Sequence, residues 1–211
     1  MANLITIARF PLLVLITVLL SAPGAAPRYV SAGLLVVLIA LDSVDGIVAR
    51  ARHEISLLGS VLDIMADRTV ELVMWITFAH LGLIPLAIPI IVVIRGTVVD
   101  SLRSMAVREG VAPFKATRSR VGAFIMGSPF MRSGYAIAKL SAFVGLAITH
   151  ALGAQSGAVS PPTVEGYRLA FNVVSWIAVA YCLVRGTPVI IEAIPSLLSP
   201  TPPVTPSDQA P

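Results

Sequence analysis

The chain has 211 residues, of which 56% are hydrophobic and only 12% charged, about half the charged share of a soluble domain. A water-soluble domain of this length has too little interior to hide that much apolar side chain, which excludes a soluble enzyme, a disordered chain and a nucleic-acid-binding domain. The formal charge of +4 then reads as basic membrane-flanking loops or a phosphate-bearing substrate; the lone Cys182 excludes a disulfide framework and a cysteine-rich zinc site.

Six apolar stretches of roughly spanning length follow one another. They run near Ile5–Ala22, Tyr29–Arg50, Ser56–His80, Pro85–Met105, Gly134–Gly153 and Tyr167–Ile191. Turn-forming residues separate them: Ala22-Pro23-Gly24 after the first, Leu81-Gly82 after the third, and residues 153–162 before the last. No period of 20 to 50 residues recurs, which argues against a solenoid and against the duplicated halves of many transporters. The reading is an all-α polytopic membrane protein with six transmembrane helices over residues 1–198. Residues 199–211, rich in Pro, Ser and Thr, read as a disordered tail.

Orientation follows from the basic residues. Both termini and the segments 50–55 and 103–139 fall on one side. That side carries Arg50, Arg52, Arg103, Arg108, Lys115, Arg118, Arg120, Arg132, Lys139 and Arg185, against Arg28 and Arg168 opposite. The positive-inside rule makes the basic side cytoplasmic, in a cytoplasmic (inner) membrane. Arg9, an apolar run and Ser21-Ala-Pro-Gly-Ala-Ala also have the shape of a cleavable signal peptide, but Arg9 fits a retained helix that starts in the cytoplasm.

Carboxylates stand where lipid-facing residues belong. Asp42 and Asp45 lie three apart near the cytoplasmic end of the second helix, with Gly46 and Ala49 on the same face. On the third helix Gly59, Asp63 and Asp67 are four apart and share a face. The short connection makes the two helices antiparallel neighbours, so four carboxylates converge just below the membrane surface. An ionised Asp at a membrane helix centre costs roughly 2.5–3.5 kcal/mol, and mutual repulsion adds to that. Hard divalent cations relieve an oxygen-only cluster, and two Mg²⁺ match four negative charges. The bland alternative is interfacial pairing with Arg50, Arg52 and Arg68; four acids at such regular spacing, interleaved with small residues, argue against it.

The run Asp42-x-x-Asp45-Gly46-x-x-Ala49-Arg50, eight residues, Gly59-x-x-x-Asp63-x-x-x-Asp67 resembles the complete signature of the CDP-alcohol phosphatidyltransferases. Asn3-Leu-Ile-Thr6-Ile-Ala-Arg9 is similar to that family's amphipathic N-terminal segment. The resemblance implies Mg²⁺-dependent transfer from CDP-diacylglycerol to an alcohol, with release of CMP, by a homodimer, Mn²⁺ being a possible substitute ion. It assigns Asp42, Asp45, Asp63 and Asp67 to two metal ions and makes Asp67 the catalytic base. It gives Asn3, Thr6, Arg9, Gly46, Ala49, Arg50 and Gly59 to the CDP-lipid, Arg50 holding its diphosphate.

The acceptor is read from a second region. Arg103, Lys115, Arg118, Arg120 and Lys139 face the aspartates' compartment, and such a cluster binds a phosphate by charge-assisted hydrogen bonds; positive-inside bias alone also produces it. Arg95-Gly-Thr-Val-Val-Asp-Ser-Leu-Arg103 resembles the fourth helix of phosphatidylglycerophosphate synthases, which implies glycerol 3-phosphate. Those enzymes carry an acid where Gly96 stands, so inositol phosphate stays open. A divalent-cation transporter is the more distant alternative. Glu71 continues the Asp63–Asp67 face, Asp100 and Arg103 are spaced to pair, and His80 and His150 have no partner that suggests zinc.

Overall fold

The structure is a computed structural model and describes residues 2–51, 57–108, 128–155 and 160–198. Six α-helices carry the described chain: α1 (Ala2–Ser21), α2 (Ala25–Ala51), α3 (Leu57–His80), α4 (Ala87–Arg108), α5 (Pro129–Gly153) and α6 (Pro161–Leu198). The all-α expectation therefore holds, with each helix on one of the predicted apolar stretches.

The turns are set by backbone chemistry. Gly24 and Gly82 adopt φ of 91° and 68°, a region that costs other residues steric strain. At Gly82 the Leu83 amide donates to the Phe78 carbonyl and the Gly82 amide to that of Ala79, closing α3 with a Schellman motif. Arg168 of α6 donates to the Gly82 carbonyl at 2.6 Å, fastening the start of α6 to this turn. The last helix extends beyond its predicted apolar stretch at both ends; at its start Pro161 and Pro162 occupy the first turn, where a missing N–H leaves no hydrogen bond unmade.

Helix α1 packs on α2 and α3, α2 on α5, and α6 on both α4 and α5. The shared core includes Ile16, Leu20, Leu35, Leu38, Met74, Phe78, Ile88 and Leu146, all fully buried. Trp75 meets Phe143 edge to face at 4.7 Å between ring centroids, a contact contributing about 0.5–1.5 kcal/mol beyond burial. Gly145 on α5 lies directly under the Phe171 ring of α6, an approach that a side chain would block.

The outer surface is apolar: Val14, Val18, Ile94, Leu169, Val173 and Trp176 are all exposed. Four helices are long and apolar enough to cross a membrane, over Leu4–Ser21, Ala25–Asp42, Ser133–Gly153 and Pro161–Ile194. The other two predicted spans fall on α3 and α4. Asp63, Asp67, Arg68 and Glu71 interrupt the first, and Arg95, Asp100, Arg103 and Arg108 the second, so neither offers an uninterrupted apolar window. Helix α1 runs from Ala2 to Ser21 as one element.

Candidate active site

Both interrupted helices turn charged residues toward one cavity of about 680 Å³. Asp42 of α2 and Asp63, Asp67 and Glu71 of α3 line it. The spacing of four on α3 stacks its three acids on one face, one turn apart. Cations come from the remaining helices: Arg9 from α1, Arg95 from α4, Lys139 from α5 and Arg185 from α6. Val70, Leu140 and Phe143 give the wall an apolar part.

The acids are held by protein cations. Arg9, only 2% exposed, places Nη1 2.6 Å from Asp42 and 3.9 Å from Asp63. Lys139 Nζ donates to Asp67 Oδ1 at 3.4 Å. Arg68 bridges α3 and α4, donating to Glu71 Oε2 and to Asp100 Oδ1, both at 3.2 Å. Asp100, spaced to pair with Arg103 on its own helix, thus has a partner on α3.

Of the predicted site residues, Thr6 and Arg9 are buried, and Gly59 is partly so. For Asn3, Asp45, Gly46, Ala49, Arg50 and Arg103 only the helical backbone is described. Lys115, Arg118 and Arg120 lie outside the described residues, as do residues 199–211. Lys139 is therefore the one member of the predicted acceptor-phosphate group that the described residues place in the cavity. Arg68, Tyr135, Cys182 and Arg185 line it as well and were not predicted as site residues. Arg185 had only its basic charge as a signal, and Tyr135 and Cys182 had none.

A family model described as CDP-alcohol phosphatidyltransferase matches residues 1–184, most of the chain. The chain belongs to that family. CDP-alcohol phosphatidyltransferases are enzymes of the EC 2.7.8 type; they transfer a phosphatidyl group from CDP-diacylglycerol to an alcohol and are generally Mg²⁺-dependent. A CDP-alcohol phosphatidyltransferase works at the bilayer, and this one is an integral membrane protein with four candidate spans. No curated protein is a significant match to the chain.

Magnesium can be tested against this donor set. Oxygen ligands suit a hard divalent ion, and the cavity gathers Asp42, Asp63 and Asp67 of the signature on its wall, together with Glu71 and Asp100. Among the described residues no three His, Cys, Asp or Glu groups stand close enough to hold one ion; the Asp45 side chain, which the signature adds, lies outside them. The set fits the ion by chemistry and charge, and Arg9 and Lys139 occupy the carboxylates in this arrangement.

Proposed function

We propose that this phosphatidyltransferase uses a phosphorylated polyol, glycerol 3-phosphate, as its acceptor, at the cytoplasmic face of the membrane. The observation that carries the reading is the mixed lining of the cavity, with carboxylates from α2 and α3 and Arg95, Lys139 and Arg185 from α4, α5 and α6. An anionic acceptor is drawn to those three cations by charge-assisted hydrogen bonds, while its hydroxyl lies within the region of the aspartates.

Asp42, Asp45, Asp63 and Asp67 would hold two Mg²⁺ ions, or Mn²⁺ in their place. Bound, the ions would neutralise charge on the CDP-lipid's diphosphate. The chain's own residues do the rest. Asp67 takes the proton from the acceptor hydroxyl. The oxygen so freed bonds to the lipid-bearing phosphorus, and the bond from that phosphorus to the bridging oxygen breaks, releasing CMP. Arg50 and Arg9 bind the diphosphate. Gly46, Ala49 and Gly59 leave room for the cytidine, with Asn3 and Thr6 beside it. Val70, Leu140 and Phe143 exclude water, which would otherwise hydrolyse the donor.

In this reading α3 and α4 also cross the membrane, giving six spans with both termini cytoplasmic. The first turns of α1 form an amphipathic segment, residues 1–198 are the catalytic domain, and the enzyme is a homodimer. Resemblance to phosphatidylglycerophosphate synthases in the Arg95–Arg103 run supports glycerol 3-phosphate over inositol phosphate. Purified protein with CDP-diacylglycerol, Mg²⁺ and a panel of alcohols, assayed for CMP, tests the whole proposal. The expected result is release with glycerol 3-phosphate. Release no greater than that of Asp67→Asn with every alcohol would sink it.

A further inference from the structure

Glu71 is 1% exposed and lines the cavity on the face of α3 that carries Asp63 and Asp67. Its Oε2 accepts from Arg68. Its Oε1 is enclosed and has no hydrogen-bond partner among the described residues. An enclosed carboxylate oxygen left unpaired is costly, and such a group calls for a ligand that completes it. The Tyr135 hydroxyl, on the same cavity wall, is likewise enclosed and unpaired.

The cavity gives an incoming donor access to Glu71 Oε1, beside Arg95, whose Nε is also enclosed and without a partner among the described residues. A neutral hydroxyl suits Oε1. That hydroxyl is not the one that attacks: a hydroxyl has a single proton to donate, and in the proposed reaction Asp67, one helical turn before Glu71, takes it. Two hydroxyls on neighbouring carbons span that turn with ordinary hydrogen bonds.

We infer that Glu71 is a specificity-determining residue: its Oε1 accepts a hydrogen bond from a second hydroxyl of the acceptor, so that phosphorylated polyols are chosen over phosphorylated mono-alcohols. The inference rests on the acceptor reading given above and deepens it.

The test compares glycerol 3-phosphate with 3-hydroxypropyl phosphate, which lacks only the middle hydroxyl, and inositol 1-phosphate with its monodeoxy analogues. CMP release is measured for the wild type, Glu71→Met and Glu71→Gln in the full-length protein. The wild type is expected to favour the polyol by about 10- to 100-fold in kcat/KM, the range for a hydrogen bond to a charged group. Glu71→Met, close in volume but unable to accept, brings that ratio to within about threefold, because turnover of the polyol falls further than that of the deoxy compound. Glu71→Gln, whose amide oxygen can accept, keeps part of the preference.

Equal loss on both members of a pair would show that Glu71 only braces Arg68, and would overturn the inference while the acceptor reading stands. Turnover of the inositol pair alone would overturn glycerol 3-phosphate as acceptor, and the same ratio on that pair then decides the role of Glu71. Release with neither pair in the wild type overturns both.

Discussion

The guanidinium of Arg9 on α1 lies 2.6 Å from the carboxylate of Asp42 on α2. The two partners are unequal: the arginine side chain is 2% exposed and the aspartate 40%. A charge enclosed to that degree depends on its partner, and removing one member of a buried pair costs several kcal/mol. Asp67 and Lys139 make a looser contact of 3.4 Å between side chains 49% and 18% exposed, in the range of pairs that contribute little. Asp42→Asn is therefore expected to lower stability by about 2 kcal/mol, below the full buried-pair figure because the aspartate is half open. Asp67→Asn is expected to cost under about 1 kcal/mol. Thermal unfolding in detergent ranks the two, and an equal loss would contradict the unequal burial.

At Asp67 catalysis should be far more sensitive than stability. As the proposed base, Asp67→Asn is expected to lower kcat by roughly 10²- to 10⁴-fold, with the fold intact. Chelation of divalent ions, and separately Asp63→Ala, are expected to abolish CMP release. Retained turnover after exhaustive chelation would contradict the assignment of the aspartates to metal.

The approach of α5 to α6 depends on glycine at 145. A methyl group there would run into the ring of Phe171. Gly145→Ala is expected to destabilise the protein by about 1–3 kcal/mol, the cost of overpacking a tight contact. Unfolding temperature in detergent checks it. A second change that shrinks the ring, Phe171→Leu, should recover part of the loss.

Gly186 on α6 has a different role. A methyl at this position would come within 2.6 Å of Arg95 Nε and 3.2 Å of Val99. The flexible arginine can yield where backbone could not, so stability should change little. Displacing Arg95 from the cavity wall is expected to raise the KM for the phosphorylated acceptor about tenfold, the cost of one weakened charge-assisted hydrogen bond. The KM for CDP-diacylglycerol should stay within about twofold. A change in donor KM alone would place Arg95 on the donor side. Steady-state kinetics of Gly186→Ala, with Lys139→Ala alongside, separates the cases.

What could be read directly from the residues was local. The helical apolar stretches, the breaks at Gly24 and Gly82, and the alignment of Asp63 with Asp67 follow from spacing along one chain segment, because helical periodicity relates only neighbours three or four positions apart. The signature Asp42 to Asp67 was legible for the same reason. The limit shows at α3 and α4, where polar residues belonging to the cavity break the apolar windows.

Pairings between helices were decided by packing. Nothing in the sequence near Arg9 marks it as the cation that reaches Asp42, and Lys139 meets Asp67 from 72 positions away. Arg68 looked like a neighbour of the aspartates, yet it ties Glu71 to Asp100. The chain alone determined which helices form and which acids share a face. Only their packing decided which cations meet those acids and left one oxygen of Glu71 without a partner among the described residues, because a side chain's partner depends on where distant helices cross, and no local spacing encodes that crossing.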